Sequence, residues 1–341
     1  MSTNKKGKLY IPESHFNQVS VINCATSDVE KTIAIDDIPI MPLGSRPTVA
    51  IKSSDERKIY TCNFGVIPPT ISAIDVETDE CSSIIISSLA WGVFISPDDT
   101  ELYLSLSNKT VEVISTKTNC LLRTLIMPDV PLAAIRDLSD NLYVSFASGE
   151  MGIFDVNTGA QKEPLIFTGG KLPAWFSFAK DYQKIYVATI GGIGVIDINT
   201  WELTKVIPLD FGELHQEKEL WAFTTTLSPI GNSLYVTLMG ESEVLIIDTN
   251  LERVIDSIKT NGTATGITFN IDGSRGYISD LGSSLSFLKG PIGGAVLANT
   301  WISTGMLGNG SVIVFDPENN NKIGDSILTS PGPGIPIWLS T

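Results

Sequence analysis

Charge, histidine and cysteine are all in short supply in this 341-residue chain, and each shortage removes a class of function. Only 18% of the residues are charged, and the acidic ones prevail to a formal net charge of −15. Such a surface repels phosphate backbones and anionic lipid, so neither nucleic acid nor a membrane is expected as partner. Arginine is sparse, and Arg57, Arg123, Arg253 and Arg275 fall in turns or outer strands of the repeat described below. Little is left for clamping a phosphorylated substrate. Two histidines, His15 and His215, and four isolated cysteines, Cys24, Cys62, Cys81 and Cys120, leave zinc without a ligand set and show no CxxC spacing.

The N-terminal stretch from Met1 to Lys8 is polar and runs straight into a strand, with no apolar segment of signal or membrane-spanning character. A cytoplasmic protein with free thiols is expected. The sequons at Asn108, Asn261 and Asn309 are then chance matches. No GxSxG elbow or P-loop occurs. The run Gly191-Gly192-Ile193-Gly194 lies inside a hairpin from Ile185 to Asp197, without the helix a dinucleotide fingerprint requires. No cofactor and no metal are expected. Calcium held by Glu13, Asn63 and Asp280 is the one ion arrangement worth testing.

What is present is a repeat. A short strand carrying tyrosine recurs at Tyr10, Tyr60, Tyr103, Tyr143, Tyr186, Tyr235 and Tyr277, with spacings of 50, 43, 40, 43, 49 and 42 residues. That period suits one four-stranded propeller blade per copy. Each copy has a second β-run closed mostly by Asp or Asn, as at Asp75, Asp155, Asp197 and Asp248, short acceptors that suit a following turn. An innermost strand precedes each tyrosine and ends in a turn such as Ser96-Pro97-Asp98-Asp99; only the first copy lacks one. The stretch Gly334 to Ser340 resembles the missing strand and has nothing after it. The expected fold is therefore all-β, a seven-bladed β-propeller with four-stranded blades. Its ring is closed by the C-terminal strand joining the N-terminal three, which removes free sheet edges. A single domain over residues 1–341 follows, with 43% hydrophobic residues to fill it.

These tyrosine strands, Ser-Pro-Asp turns and Asp-closed strands resemble the YVTN-repeat β-propellers over nearly the whole chain. The resemblance implies the fold; members of that family differ widely in activity.

Loop lengths point to one face. The long connections, 36–46, 63–70, 210–220 and 281–310, all join the ends of strands that share one side of the ring, and function concentrates on loops carried by a rigid frame. The stretch from Gly290 to Gly310, with Trp301 and Met306, is apolar and glycine-rich: a lid over the channel, or a loop packed on a neighbouring blade. Near the same mouth fall Phe64, Trp91, Trp175, Trp221, Phe223 and Trp338, the wall of an apolar pocket or simply packing between sheets. His15, His215 and Arg46 are the candidate proton carriers or carbonyl donors, with Asn63, Asp129 and Asp280 as polar contacts, joined by Glu13, Asn17 and Glu213. The strand from Pro47 to Ser53 fits two registers one residue apart, which exchange its faces.

Three functions remain open. In fold, size and pocket character the chain looks similar to the fungal propeller-type hetero-Diels–Alderases of tropolonic sesquiterpenoid biosynthesis, which implies a cofactor-independent pericyclic cyclase acting on a small apolar organic substrate. The alternatives are a propeller lactonase or other hydrolase, and a non-catalytic scaffold for a protein partner. Oligomeric state is left open, and a monomer is compatible with every reading.

Overall fold

The computed structural model describes residues 7–35, 44–66, 68–211, 219–288, 291–304 and 308–340. Seven antiparallel four-stranded sheets, with strands A to D running outward from the channel, stand in a ring as a seven-bladed β-propeller. Blade 1 takes strands B, C and D from Lys8–Glu13, Gln18–Asn23 and Asp28–Ala34, and strand A from Ile337–Leu339. Leu9 lies opposite Trp338 and Tyr10 opposite Ile337, so the two ends of the chain close the ring as expected. In blade 7 the outermost strand is split into two short pieces, Asn321–Lys322 and Ile327–Leu328, which both pair with Ser311–Asp316.

Each sheet lies between two others, so strands B and C are buried on both faces and read as near-continuous apolar runs, as in Glu243–Asp248. Strands D form the rim and stay largely exposed, as in Asp28–Ala34 and Leu121–Ile126. The core is accordingly divided: seven apolar clusters, each centred between two neighbouring blades. The repeated tyrosines sit in strand B of their blades, none more than 4% exposed. Several reach the C-to-D turn of the next blade. Tyr60 donates to the Thr116 carbonyl, Tyr186 to the Thr249 carbonyl (3.4 Å each) and Tyr235 to Asn320 Oδ1 (2.9 Å).

Those turns are built alike. Asp75 Oδ1 accepts the N–H groups of Glu77 and Thr78, and Asp155, Asp197 and Asp248 repeat the pattern. Four residues after each closing position the backbone is left-handed, at Ser27, Asp79, Asn119, Gly159, Trp201, Glu252 and Asn320. A side chain in that region costs conformational energy, and only Gly159 avoids it.

Strand A departs from the regular ladder at its start in six blades. Pro47 faces Asn63 while Val49 faces Cys62, leaving Thr48 extra; the same single insertion follows Ala90, Pro131 and Ala264. Blade 6 gains one residue between Ala222 and Thr225, and blade 5 two between Lys171 and Trp175. Each is a β-bulge, where the added residue leaves the ladder and re-aims its side chain. The bulge also explains the ambiguity at Pro47: one register holds before Thr48 and the other after it.

The insertion between strands B and C of blade 7 contains a helix, α1 (Ile292–Thr304). No helix among the described residues is long and apolar enough to cross a membrane.

Burial pushes the hydroxyls of Tyr10, Tyr60, Tyr143 and Tyr186 up to about 12, and those of Tyr103, Tyr235 and Tyr277 also rise, from an ordinary value of about 10. The folded state therefore favours the neutral phenol. Its contribution is complete below about pH 10 and is lost as the unfolded chain ionises first above that value. Far-ultraviolet circular dichroism and tyrosinate absorbance are expected to change together as the pH rises from there to about 12. Full ionisation with an unchanged β-spectrum would contradict the burial.

Candidate functional site

The bulges build a chamber at the channel mouth. Trp91, Leu132 and Phe223 are bulge residues of blades 3, 4 and 6, and Leu172 and Ala174 belong to the larger bulge of blade 5. All five line one cavity of about 510 Å³, with Trp175 and Trp221 beside them. Leu172 has a φ of 47°, so blade 5 accepts backbone strain to bring Trp175 inward. Such a volume suits a drug-sized ligand. No Asp, Glu, Lys, Arg or His is among the described residues that line it.

Helix α1 forms the roof, contributing Ala295, Ala298, Asn299, Trp301 and Ile302. Two glycines let it approach closely. A Cβ on Gly294 would lie 2.7 Å from the Met239 carbonyl oxygen, and one on Gly293 2.6 Å from that of Leu285. Leu297 and Trp301, one turn apart, bury themselves against Met239 and Leu281. Trp301 also packs edge-to-face on Phe64 and Phe223, with centroids 6.2 and 6.3 Å away, and Phe64 continues the chain to Trp91 at 6.2 Å. The Trp301 N–H donates to Ser14 Oγ at 3.1 Å.

The helix has no basic residue in its last turn. Its C-terminal carbonyls are served instead from blade 2: Arg46 Nη1 donates to Ile302 and Ser303 oxygens (2.5 and 3.1 Å), and Nη2 to the Phe64 oxygen (2.7 Å). A cation there complements the helix dipole. Arg46 is 6% exposed and left-handed (φ 54°), held by its backbone N–H on Asn17 Oδ1. Burial lowers its pKa. His15 approaches the same helix end, with Nδ1 3.5 Å from the Thr304 oxygen, a long contact.

The residues singled out from the sequence thus separate into three groups. Phe64, Trp91, Trp175, Trp221, Phe223 and Trp301 come together around the cavity. Arg46 and His15 hold the roof and do not line the cavity. The rest serve the frame. Trp338 is buried between blades 1 and 7 against Leu9, Ile11 and Tyr277, away from the mouth. Asn63 is bonded to Thr61, Thr70 and Ser72, and Asp129 pairs with Lys109 and caps the Ser148 N–H. Asp280 accepts the N–H groups of Asn261, Gly262 and Gly282; burial pushes its carboxyl up against those three bonds. Glu13 accepts from Gln18 and Ser330. Among the described residues no three His, Cys, Asp or Glu side chains gather as for a metal. His215, Glu213 and Met306 lie outside the described residues.

The helical roof was not legible as a helix, because its two glycines disfavour that state; the signal available was the spacing of Leu297 and Trp301. Within the described part of the insertion, α1 packs against Met239 and Leu281 and contributes to the lining of the cavity.

No family model matches the chain, and no curated protein matches it in sequence. Solved structures share its fold. The dihydro-heme d1 dehydrogenase NirN, in complex with DHE, aligns over 98% of this chain and 76% of its own, with a TM-score of 0.62 and 12% identity. Hydrazine synthase of Kuenenia stuttgartiensis covers 77% of this chain and 86% of its own (TM-score 0.63, 17% identity). A functionally unknown protein from Desulfotomaculum acetoxidans covers 95% and 99% (TM-score 0.65, 15% identity). At these identities the likeness is one of architecture alone.

Removing the Arg46 guanidinium leaves the end carbonyls of α1 without their donor, a loss of about 1–3 kcal/mol. In Arg46→Ala, hydrogen exchange is expected to accelerate in residues 292–304 while the strands of blades 3 to 6 keep their protection. Unchanged protection of α1 would show that the helix does not depend on this cap.

Proposed function

We propose that this protein binds a small apolar organic molecule beneath α1 and promotes its cyclisation by confinement, a hetero-Diels–Alder or related pericyclic step. The observation that carries the reading is the chamber of about 510 Å³, walled by six aromatic rings and free of titratable side chains among its described lining. Hydrolysis and proton abstraction need an acid or base within reach of the substrate, and the described residues of this wall supply none. What it supplies is shape, exclusion of water and a few N–H donors.

Those suffice for a concerted cycloaddition. Holding a conjugated carbonyl compound against an alkene removes an orientational barrier worth up to about 7–11 kcal/mol in favourable cases. A fixed donor on the carbonyl lowers the barrier further as charge develops. The indole faces restrict which side of the alkene is presented, and so select a stereoisomer.

Protein isolated from its own cells is expected to carry a small organic molecule in native mass spectrometry, and to bind fluorene saturably with quenching of tryptophan fluorescence. Ala298→Trp, which fills the chamber from its roof, should abolish both. An empty protein that ignores fluorene sinks the reading. With the acyclic precursor of the bound molecule in hand, Trp221→Ala should slow cyclisation or change the stereoisomer ratio. An unaltered rate and ratio would remove the catalytic half and leave a binding protein.

A further inference from the structure

A second cavity of about 410 Å³ lies further along the channel and shares Trp175 and Ile335 with the first. The two adjoin at those side chains, which form the waist between them. Their linings differ. The upper chamber is almost wholly apolar, whereas the lower one has hydroxyls from Ser177, Thr224, Thr225, Thr226 and Thr268. Ser177 is bonded to Thr225 and Thr224 to Thr237. Thr226 and Thr268, both half-buried, make no hydrogen bond to a described residue through their hydroxyls. No charged side chain among the described residues borders either cavity, in a protein with 23 basic and 38 acidic residues.

The indole N–H groups are the other polar feature. Of the four indoles on the upper wall, Trp301 is satisfied by Ser14, while those of Trp91 and Trp221 have no partner among the described residues. The Trp175 N–H makes no hydrogen bond to a described residue either, and it stands at the waist. The Trp91 and Trp221 N–H groups are closed off within the wall, whereas that of Trp175 is not, so Trp175 is the indole whose donor an incoming acceptor can reach. A charge brought into either cavity would meet no counter-charge.

Resting on the binding role proposed above, we infer that the ligand is a neutral amphipath spanning both chambers. Its apolar rings fill the upper one, an acceptor oxygen meets the Trp175 N–H at the waist, and an oxygenated end lies among Thr226 and Thr268. Trp175, rather than Arg46 or His15, is then the residue that selects for the carbonyl or ether oxygen. Donors outnumber acceptors among the side chains of the upper wall, so the group at the waist is an acceptor and not an amine or ammonium.

The test compares fluorene, fluorenone and fluorenone bearing a hydroxyethoxy arm by equilibrium titration. Fluorenone is expected to bind about three- to tenfold more tightly than fluorene, the range of one net hydrogen bond. Trp175→Phe, and benzothienylalanine at the same position, which keeps the ring shape and replaces N–H by sulfur, should bring that ratio to near one. The second variant separates a lost donor from a disturbed fold. The hydroxyethoxy arm should add affinity that Thr226→Val combined with Thr268→Val removes. Equal binding of fluorene and fluorenone, the same ratio in both Trp175 variants, an arm that gains nothing, or tighter binding of dodecyltrimethylammonium would each overturn the inference and leave the apolar site standing. Failure of every probe to bind would overturn the site itself.

Discussion

The molecule depends on one packing contact repeated around the ring, the tyrosine of strand B wedged between its own blade and the next. A single blade, apolar on both faces, cannot bury them by itself, and here each sheet has two neighbours to bury against. The phenol ring fills the inter-blade layer, and where its hydroxyl reaches the following C-to-D turn it also fixes how the two blades are rotated. The seam at blade 1 obeys the same rule: Tyr10 shares a cluster with Ala50, Ile59 and Ile74 of blade 2, while Trp338 fills the interface with blade 7.

A frame so regular leaves the centre free to vary, and the variation takes the form of bulges. Strand A pairs along its length with strand B alone, apart from a single bridge from Val49 to Ile335 in blade 2, so inserting a residue near its start disturbs little more than one ladder. Six blades do this at the same level, which flares the channel into a chamber and aims side chains at it. Where the inserted residue is Thr48 or Thr265, its hydroxyl bonds backbone oxygens. Where it is Trp91, Leu132 or Phe223 it becomes wall. Frame and pocket thus differ only in which residue occupies the bulge.

That division explains how much was legible in the sequence. The tyrosines, the Asp-closed turns and the orphan C-terminal strand are local signals repeated seven times or conspicuous by one absence, and they specify the ring. The aromatics of the mouth were recognisable because large apolar residues at the start of strand A have no reason to be there in an edge strand facing solvent. Trp338 carries the same signature but sits one layer out, since its strand has no bulge to turn it inward. Arg46 and His15 look like chemistry in a sequence with few cations. Their partners, the carbonyls of residues 302–304, are about 250 to 290 positions away, and nothing local reveals them.

Those same contacts place α1 across the closure of the ring. The helix belongs to blade 7, yet its C-terminal half is fastened to Ser14 of blade 1 and to Arg46 at the entrance of blade 2. It straddles the joint where the first and last segments of the chain meet, as a clasp lies over a bracelet's hinge. A molecule filling the chamber below would touch α1 and the blade walls together, and so would resist separation of the chain's two ends under mechanical load. A circular permutant with its termini moved to blade 4 would lose that coupling while keeping the pocket.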